Sequence, residues 1–253
     1  MRYAGVLLAA GSLLVLSSLA SAAPAGNQVD AGYDLFETLP GTTYMGIPMM
    51  GDPIDSYNFG GTIGVQNTGE TDTIVQRLAN ITPTSPTTSL VMDVLQLVTT
   101  APTTLGGAGP LGFYYVTLQS TDGTGPASTG SLTSTWITPT TGTFTSALDV
   151  FFDIHFGALN GPIVAQSNAE LTNSGAAWTD MATPGSVQIT GANYMLNGND
   201  ITNDFWPSPF IENEPGVTHS VGPAMVPEPA TLGLLAVTSI AALSRRRRRA
   251  MSI

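Results

Sequence analysis

The stretch SALDVFFDIHF, Ser146 to Phe156, alternates side chains with a period of two. Leu148, Val150, Phe152, Ile154 and Phe156 fall on one face, and Asp149, Phe151, Asp153 and His155 on the other. A helix would scatter these apolar positions around its axis, whereas a strand gathers them on one side, so the segment reads as a half-buried β-strand. Leu90 to Val98 is apolar enough to be covered on both faces. Phe113 to Gln119 (FYYVTLQ) is rich in the aromatic and β-branched residues that suit a pleated surface. Weaker strand patterns occupy Thr62 to Gln66, Thr73 to Leu78, Ser131 to Ile137, Ser186 to Thr190 and Asn193 to Leu196.

Turn residues punctuate these runs: Gly106-Gly107, Asp122-Gly123, Gly142, Asn160-Gly161-Pro162, Pro184-Gly185 and Asn197-Gly198. No amphipathic helix of ten or more residues stands out between them. Short strands with Gly/Pro turns predict an all-β body, a β-sandwich or jelly roll, over residues 23–206. Its first part, 25–61, has little periodicity and reads as an irregular lead-in with room for one edge strand. The prolines of 207–225 read as a linker, in which His219 would be solvated.

Both ends of the chain carry signals of a different kind. Arg2, the apolar stretch Val6 to Leu19 and then Ala20-Ser21-Ala22 form the three regions of a secretory signal peptide (1–22). Cleavage by signal peptidase after Ala22, with Ala20 as the second small residue, exposes Ala23. At the other end, 226–253 holds Pro227-Glu228-Pro229, the apolar run Ala230 to Leu243, and Arg245, Arg246, Arg247, Arg248 and Arg249. A helix over that run reaches about 21 Å against a hydrocarbon core of about 30 Å. It reads as a short transmembrane helix, marginal as a permanent span, either an ordinary tail anchor or a temporary one, with its arginines held cytoplasmic by the positive-inside rule. This C-terminus resembles the PEP-CTERM sorting signal of Gram-negative bacteria that make extracellular polysaccharide. The resemblance implies processing near Pro227-Glu228-Pro229 by an exosortase, a membrane enzyme, with release or attachment at the cell surface or in the extracellular matrix, as in a biofilm. Those three residues would be substrate, not catalyst.

Charge is distributed unevenly. Of seven basic residues, Arg2 and the five C-terminal arginines leave Arg77 alone in the body. Seventeen of the eighteen acidic residues lie there, so residues 23–226 carry about 1 − 17 = −16. Such a surface repels phosphate backbones and excludes general nucleic-acid binding. The chain has no cysteine, so no disulfide, thiol nucleophile or thiolate metal site is available to it.

Candidate chemistry is sparse. Asp153 and His155 share a strand face, an arrangement that can orient a base or hold a metal, although such pairs are more often structural contacts. No Gly-x-Ser-x-Gly elbow occurs. In NGNDITND, Asn199, Asp200 and Asp204 are candidate calcium ligands without EF-hand spacing; the competing reading is turn formation. Trp136, Trp178, Trp206 and Phe113-Tyr114-Tyr115 are candidates for stacking on sugars or for the core. The body is thus expected to be a non-enzymatic surface or matrix module, structural, adhesive or in contact with extracellular polysaccharide. The rival expectation is a secreted hydrolase acting on polysaccharide or lipid. If calcium binds, removing it with a chelator should lower the melting temperature of residues 23–226; an unchanged curve removes calcium from the account.

Overall fold

The computed structural model describes residues 28–61, 63–180, 182, 184–187 and 205–226. These residues are mostly strand, with one helical turn of four residues and a short 3₁₀ turn. No helix among them is long and apolar enough to cross a membrane. The expected signal and transmembrane helices lie outside the described residues, as do Ala20, Ala22, Pro227, Glu228, Pro229, Arg245 to Arg249, and the calcium candidates Asn199, Asp200 and Asp204.

The chain climbs and descends in eight staves, each antiparallel to the next. The first is β1 (Gly32–Thr38) continued by β2 (Thr43–Tyr44). The second is β3 (Ile47–Gly51) and β6 (Thr73–Arg77), with the hairpin β4 (Asp55–Asn58) and β5 (Val65–Gly69) inserted between them. The third is β7 (Thr87–Leu95) and β8 (Leu97–Thr99). The fourth is β9 (Tyr114–Leu118) and β10 (Ser128–Thr138), interrupted by α1 (Gln119–Asp122). Then come β11 (Thr141–Phe156), β12 (Ile163–Thr179), β13 (Trp206–Pro207) with β14 (Phe210–Glu214), and β15 (Val217–Pro223).

The last stave pairs back on the first. Val221 and Pro223 face Thr38 and Phe36, and Val217 and Thr218 face Tyr44 and Thr43. The expected layers of sheet over one core are present, but their edges are hydrogen-bonded together into a closed wall. Neighbours in the wall are neighbours in sequence, an up-and-down meander, so the crossing connections of a jelly roll are absent among the described residues. Eight strands give an interior that side chains can fill. Tyr44 on the first stave meets Phe152 on the opposite one edge to face at 5.2 Å, and Phe144 meets Phe210 at 5.2 Å.

The alternation of β11 is realised as expected. Phe144, Leu148, Val150, Phe152 and Ile154 are buried in the core, and Asp149 is exposed. Two register shifts, at Phe144/Thr145 and Ile154/His155, place the extra residues Gly175 and Val164 in the facing β12 and let that strand bend along β11. Where the fourth stave breaks, side chains replace its ladder. Ser128 Oγ accepts from Phe151 N at 2.9 Å, and Gln119 Nε2 donates to Phe152 O at 3.1 Å. The β4–β5 hairpin covers the outer side of β1, where Tyr33, Tyr57 and Phe59 meet edge to face. Burial, with help from Asp93, pushes the Tyr57 phenol up to about 12.

Three parts differ from expectation. The lead-in contains β1, the stave on which the wall closes. Ile163–Thr179 is a strand of seventeen residues that the sequence pattern hides, because its inward positions include small or polar Ala169 and Asn173 beside Leu171. The supposed linker 207–225 is most of the last two staves. Pro215-Gly216 forms their turn and Pro207 and Pro223 end strands, which are positions open to residues lacking an N–H. A chain ending at Trp206 should therefore fail to melt cooperatively, whereas one ending at Val226 should melt in a single transition. Cooperative unfolding of the shorter chain, followed by circular dichroism, would show that the wall does not need its last staves.

Candidate functional site

The Asp153/His155 pair lies on the outer face of β11, yet both side chains are almost fully buried because the segment around α1 covers them. His155 Nδ1 lies 2.9 Å from Gly161 O, which only accepts, so this nitrogen carries a proton. His155 Nε2 lies 3.1 Å from Asp122 Oδ2 and 2.8 Å from Thr117 Oγ1, and Thr117 Oγ1 donates to the same carboxylate at 2.6 Å. The partner of His155 is thus Asp122, thirty-three residues away, rather than Asp153. Asp153 instead accepts from Thr124 Oγ1 and from Gln166 Nε2.

Donor atoms of Asp122, Asp153 and His155 lie within 4.8 Å of one another, a spacing one cation could bridge. Every group in the trio already has a protein partner, so it is satisfied without an ion. A general base needs a free nitrogen lone pair, and here Nε2 is engaged. What the arrangement does directly is pin α1 and the 157–162 turn to β11.

A second polar cluster lies inside the wall. Arg77, the sole cation of the body, is buried there, its Nε donating to Asp34 Oδ2 at 2.9 Å and its Nη1 to Asp30 O. The guanidinium also stands 5.3 Å from the centre of the Phe205 ring. His219, expected in solvent, is fully buried. Its Nδ1 is 3.8 Å from Glu212 Oε2 and its Nε2 3.4 Å from Thr38 Oγ1, with Tyr44 edge-on at 5.8 Å. Asp72 accepts from Thr38 N at 2.6 Å and from the Thr38 and Thr73 hydroxyls at 2.7 Å. Gly51 makes room for it, since a Cβ there would sit 1.9 Å from Asp72 Oδ2.

Between Asp34, Glu212 and His219 on one side and Leu132, Phe144 and Leu148 on the other lies a cavity of about 30 Å³. That volume suits ordered water; ligand pockets run to hundreds of cubic ångströms.

The aromatic candidates divide between core and wall. Trp178 and Trp206 are buried, Trp136 packs edge-on against Trp178 at 4.6 Å, and Tyr114 is buried with its hydroxyl on Pro110 O. Phe113 remains 40 % exposed.

The outside of the β7–β10–β11–β12 wall is a field of short polar side chains. One row across it reads Thr87, Thr133, Thr145 and Ser174, and the next reads Ser89, Ser131, Ala147 and Thr172. Thr87 and Thr133 hydroxyls meet at 3.0 Å. Asp149 and Glu170 in a third row, and the half-buried Asp93 at the end of β7, bring charge to this face.

A closed antiparallel barrel with its cation inside and hydroxyls outside is the class this structure defines. To it is joined a sorting signal: the family model of the PEP-CTERM protein-sorting motif matches residues 226–249. The motif implies an exported protein sorted by an exosortase, with a membrane-associated intermediate that leads to the cell surface. No curated protein and no solved structure matches the chain significantly.

Burial raises the carboxyls of Asp34 and Asp72 above the ordinary aspartate range, against the opposing pull of Arg77 on the first and of Thr38, Thr73 and His219 on the second. Burial also raises Glu37, Asp52, Asp93 and Asp180. A folded-state pKa above the unfolded value means the folded chain binds more protons in that window, so stability rises as pH falls through it. The melting temperature should accordingly increase as pH is lowered from neutrality towards the unfolded aspartate value. A steady decrease over that range would show that these carboxyls do not govern the acid response.

Proposed function

We propose that this is a non-enzymatic module of the cell surface or extracellular matrix, and that its hydroxyl wall contacts neutral polysaccharide. The observation that carries this reading is the pair of rows Thr87-Thr133-Thr145-Ser174 and Ser89-Ser131-Ala147-Thr172. Adjacent strands repeat about every 4.8 Å and like-facing residues about every 6.7 Å, so the wall offers a regular lattice of groups that both donate and accept. A polymer of hydroxylated rings can match such a lattice at many weak points at once. The acidic surface favours a neutral polymer over an anionic one.

The rival is hydrolysis of polysaccharide or lipid. It is favoured by one feature, the Asp122–His155 contact at 3.1 Å, with the Asp122 side chain 25 % exposed. Reaction there would require the imidazole to leave Asp122 and Thr117 before it could take a proton from substrate.

Co-sedimentation of residues 23–226 with insoluble neutral glucan separates the two. Thr133→Val with Thr145→Val removes two hydroxyls while keeping β-branched shape, and at about 0.5–1.5 kcal/mol per hydrogen bond should weaken binding roughly tenfold. The melting temperature should change little. Failure to bind neutral glucan, or turnover of a glycan or ester substrate that His155→Ala and Asp122→Asn each abolish, would replace this reading.

A further inference from the structure

The barrel runs into its sorting motif without a spacer. β15 ends at Pro223, yet the three residues after it remain bonded into the fold on both sides. Ala224 N donates to Leu35 O at 3.0 Å, and Ala224 O accepts from Val187 N at 2.8 Å. Met225 N donates to Glu37 Oε2 at 3.3 Å, and Met225 O accepts from Glu70 N at 3.1 Å. Val226 N donates to Gly185 O at 2.9 Å. Gly69, at φ +61°, lets Met225 approach; a Cβ there would stand 2.7 Å from Met225 O. The matched motif begins at Val226, and Pro227 follows at once.

The N–H groups of Ala224, Met225 and Val226 and the carbonyls of the first two are therefore all in use. An enzyme that binds its substrate as an extended peptide draws affinity from the same main-chain groups. Nor can the motif reach far by itself, since Pro227 to Pro229 span at most about 11 Å when fully extended. We propose that Ala224–Val226 is a docked strap, and that an exosortase-type membrane enzyme must peel it from Gly185–Val187, Leu35 and Glu70 before cutting. The opening is local, because the closing pairs at Val217, Thr218 and Val221 lie upstream of the strap. Processing then proceeds at the rate of cutting multiplied by the fraction of chains with the strap released.

Two variants of the full chain test this in cells that carry an exosortase, with loss of the arginine tail followed by mass spectrometry after a pulse of synthesis. A six-residue Gly/Ser insertion between Val226 and Pro227 adds up to about 20 Å of reach and leaves the strap in place. Ser186→Cys with Met225→Cys locks the strap, since these residues are bridge partners. The flanking bonds from Val187 N and Val226 N make them a non-hydrogen-bonded antiparallel pair, with Cα atoms about 4.5 Å apart, within disulfide range. No other cysteine competes.

The spacer variant should lose its tail several-fold faster than the unaltered chain, and the bridged variant several-fold more slowly, with a reductant restoring its rate. Equal rates in all three, with melting curves showing intact barrels, overturn the strap alone. A tail retained by every chain overturns processing itself and the strap's role with it.

Discussion

Everything in this fold depends on the closing of β15 against β1 and β2. Seven staves could stack as an open sheet from local hairpins, but the eighth must find a partner about 180 residues earlier in the chain. Closure removes the sheet edges at which exposed strands associate with other chains. It also seals a polar cluster: Thr38 from β1, His219 from β15, Glu212 from β14 and Asp72 beside β6 meet at the seam. Such groups are costly to bury without partners; closure supplies them to Asp72 and Thr38, whereas His219 Nδ1 stays 3.8 Å from Glu212, beyond hydrogen-bond reach. Without cysteine, the closure rests on these contacts and on the core around Tyr44, Phe144 and Phe152.

The interior takes the only cation of the body and leaves the exterior without one. Arg77 is held by Asp34 and Asp30 through Nε and Nη1 and by the Phe205 ring, while its buried Nη2 finds no hydrogen-bond partner among the described residues; removing either member of the buried ion pair would strand a charge, at about 3–5 kcal/mol. The outer surface consequently presents carboxylates, hydroxyls and amides. Net negative charge keeps such a surface soluble and away from nucleic acid, while the hydroxyl wall remains nearly neutral. The β4–β5 hairpin and the strap cover much of the rest of the first stave, so contact by the wall and attachment by the strap use different parts of the barrel.

Local pattern revealed the strands whose two faces differ most in polarity. β11, β9 and β7 were legible because large apolar residues alternate or crowd within them. β12 was not, because Ala, Ser, Asn and Gly supply weak contrast even where Ala169 and Leu171 enter the core. Prolines misled at 207–225: the same residues punctuate linkers and end strands, and only pairing partners distinguish the two. His155 was found as a polar residue on a strand face, but the neighbouring Asp153 proved a poorer guide to its partner than the chain's return at Asp122. His219 could not be placed at all, since its burial is a property of the closed wall.

By itself the sequence determined the address and the class. A sorting signal is a contiguous string read in linear order by other proteins, so Pro227-Glu228-Pro229 and the arginines after the apolar run are legible without a fold. Periodicity of two is likewise local and sufficed for an all-β body. Only the tertiary structure decided that the sheet closes, that Arg77 and His219 lie inside it, that threonines from separate strands align in rows, and that the sorting motif begins where the wall ends. Each of these depends on which distant residues become neighbours, and that is settled by the packing and hydrogen bonding of the whole barrel at once.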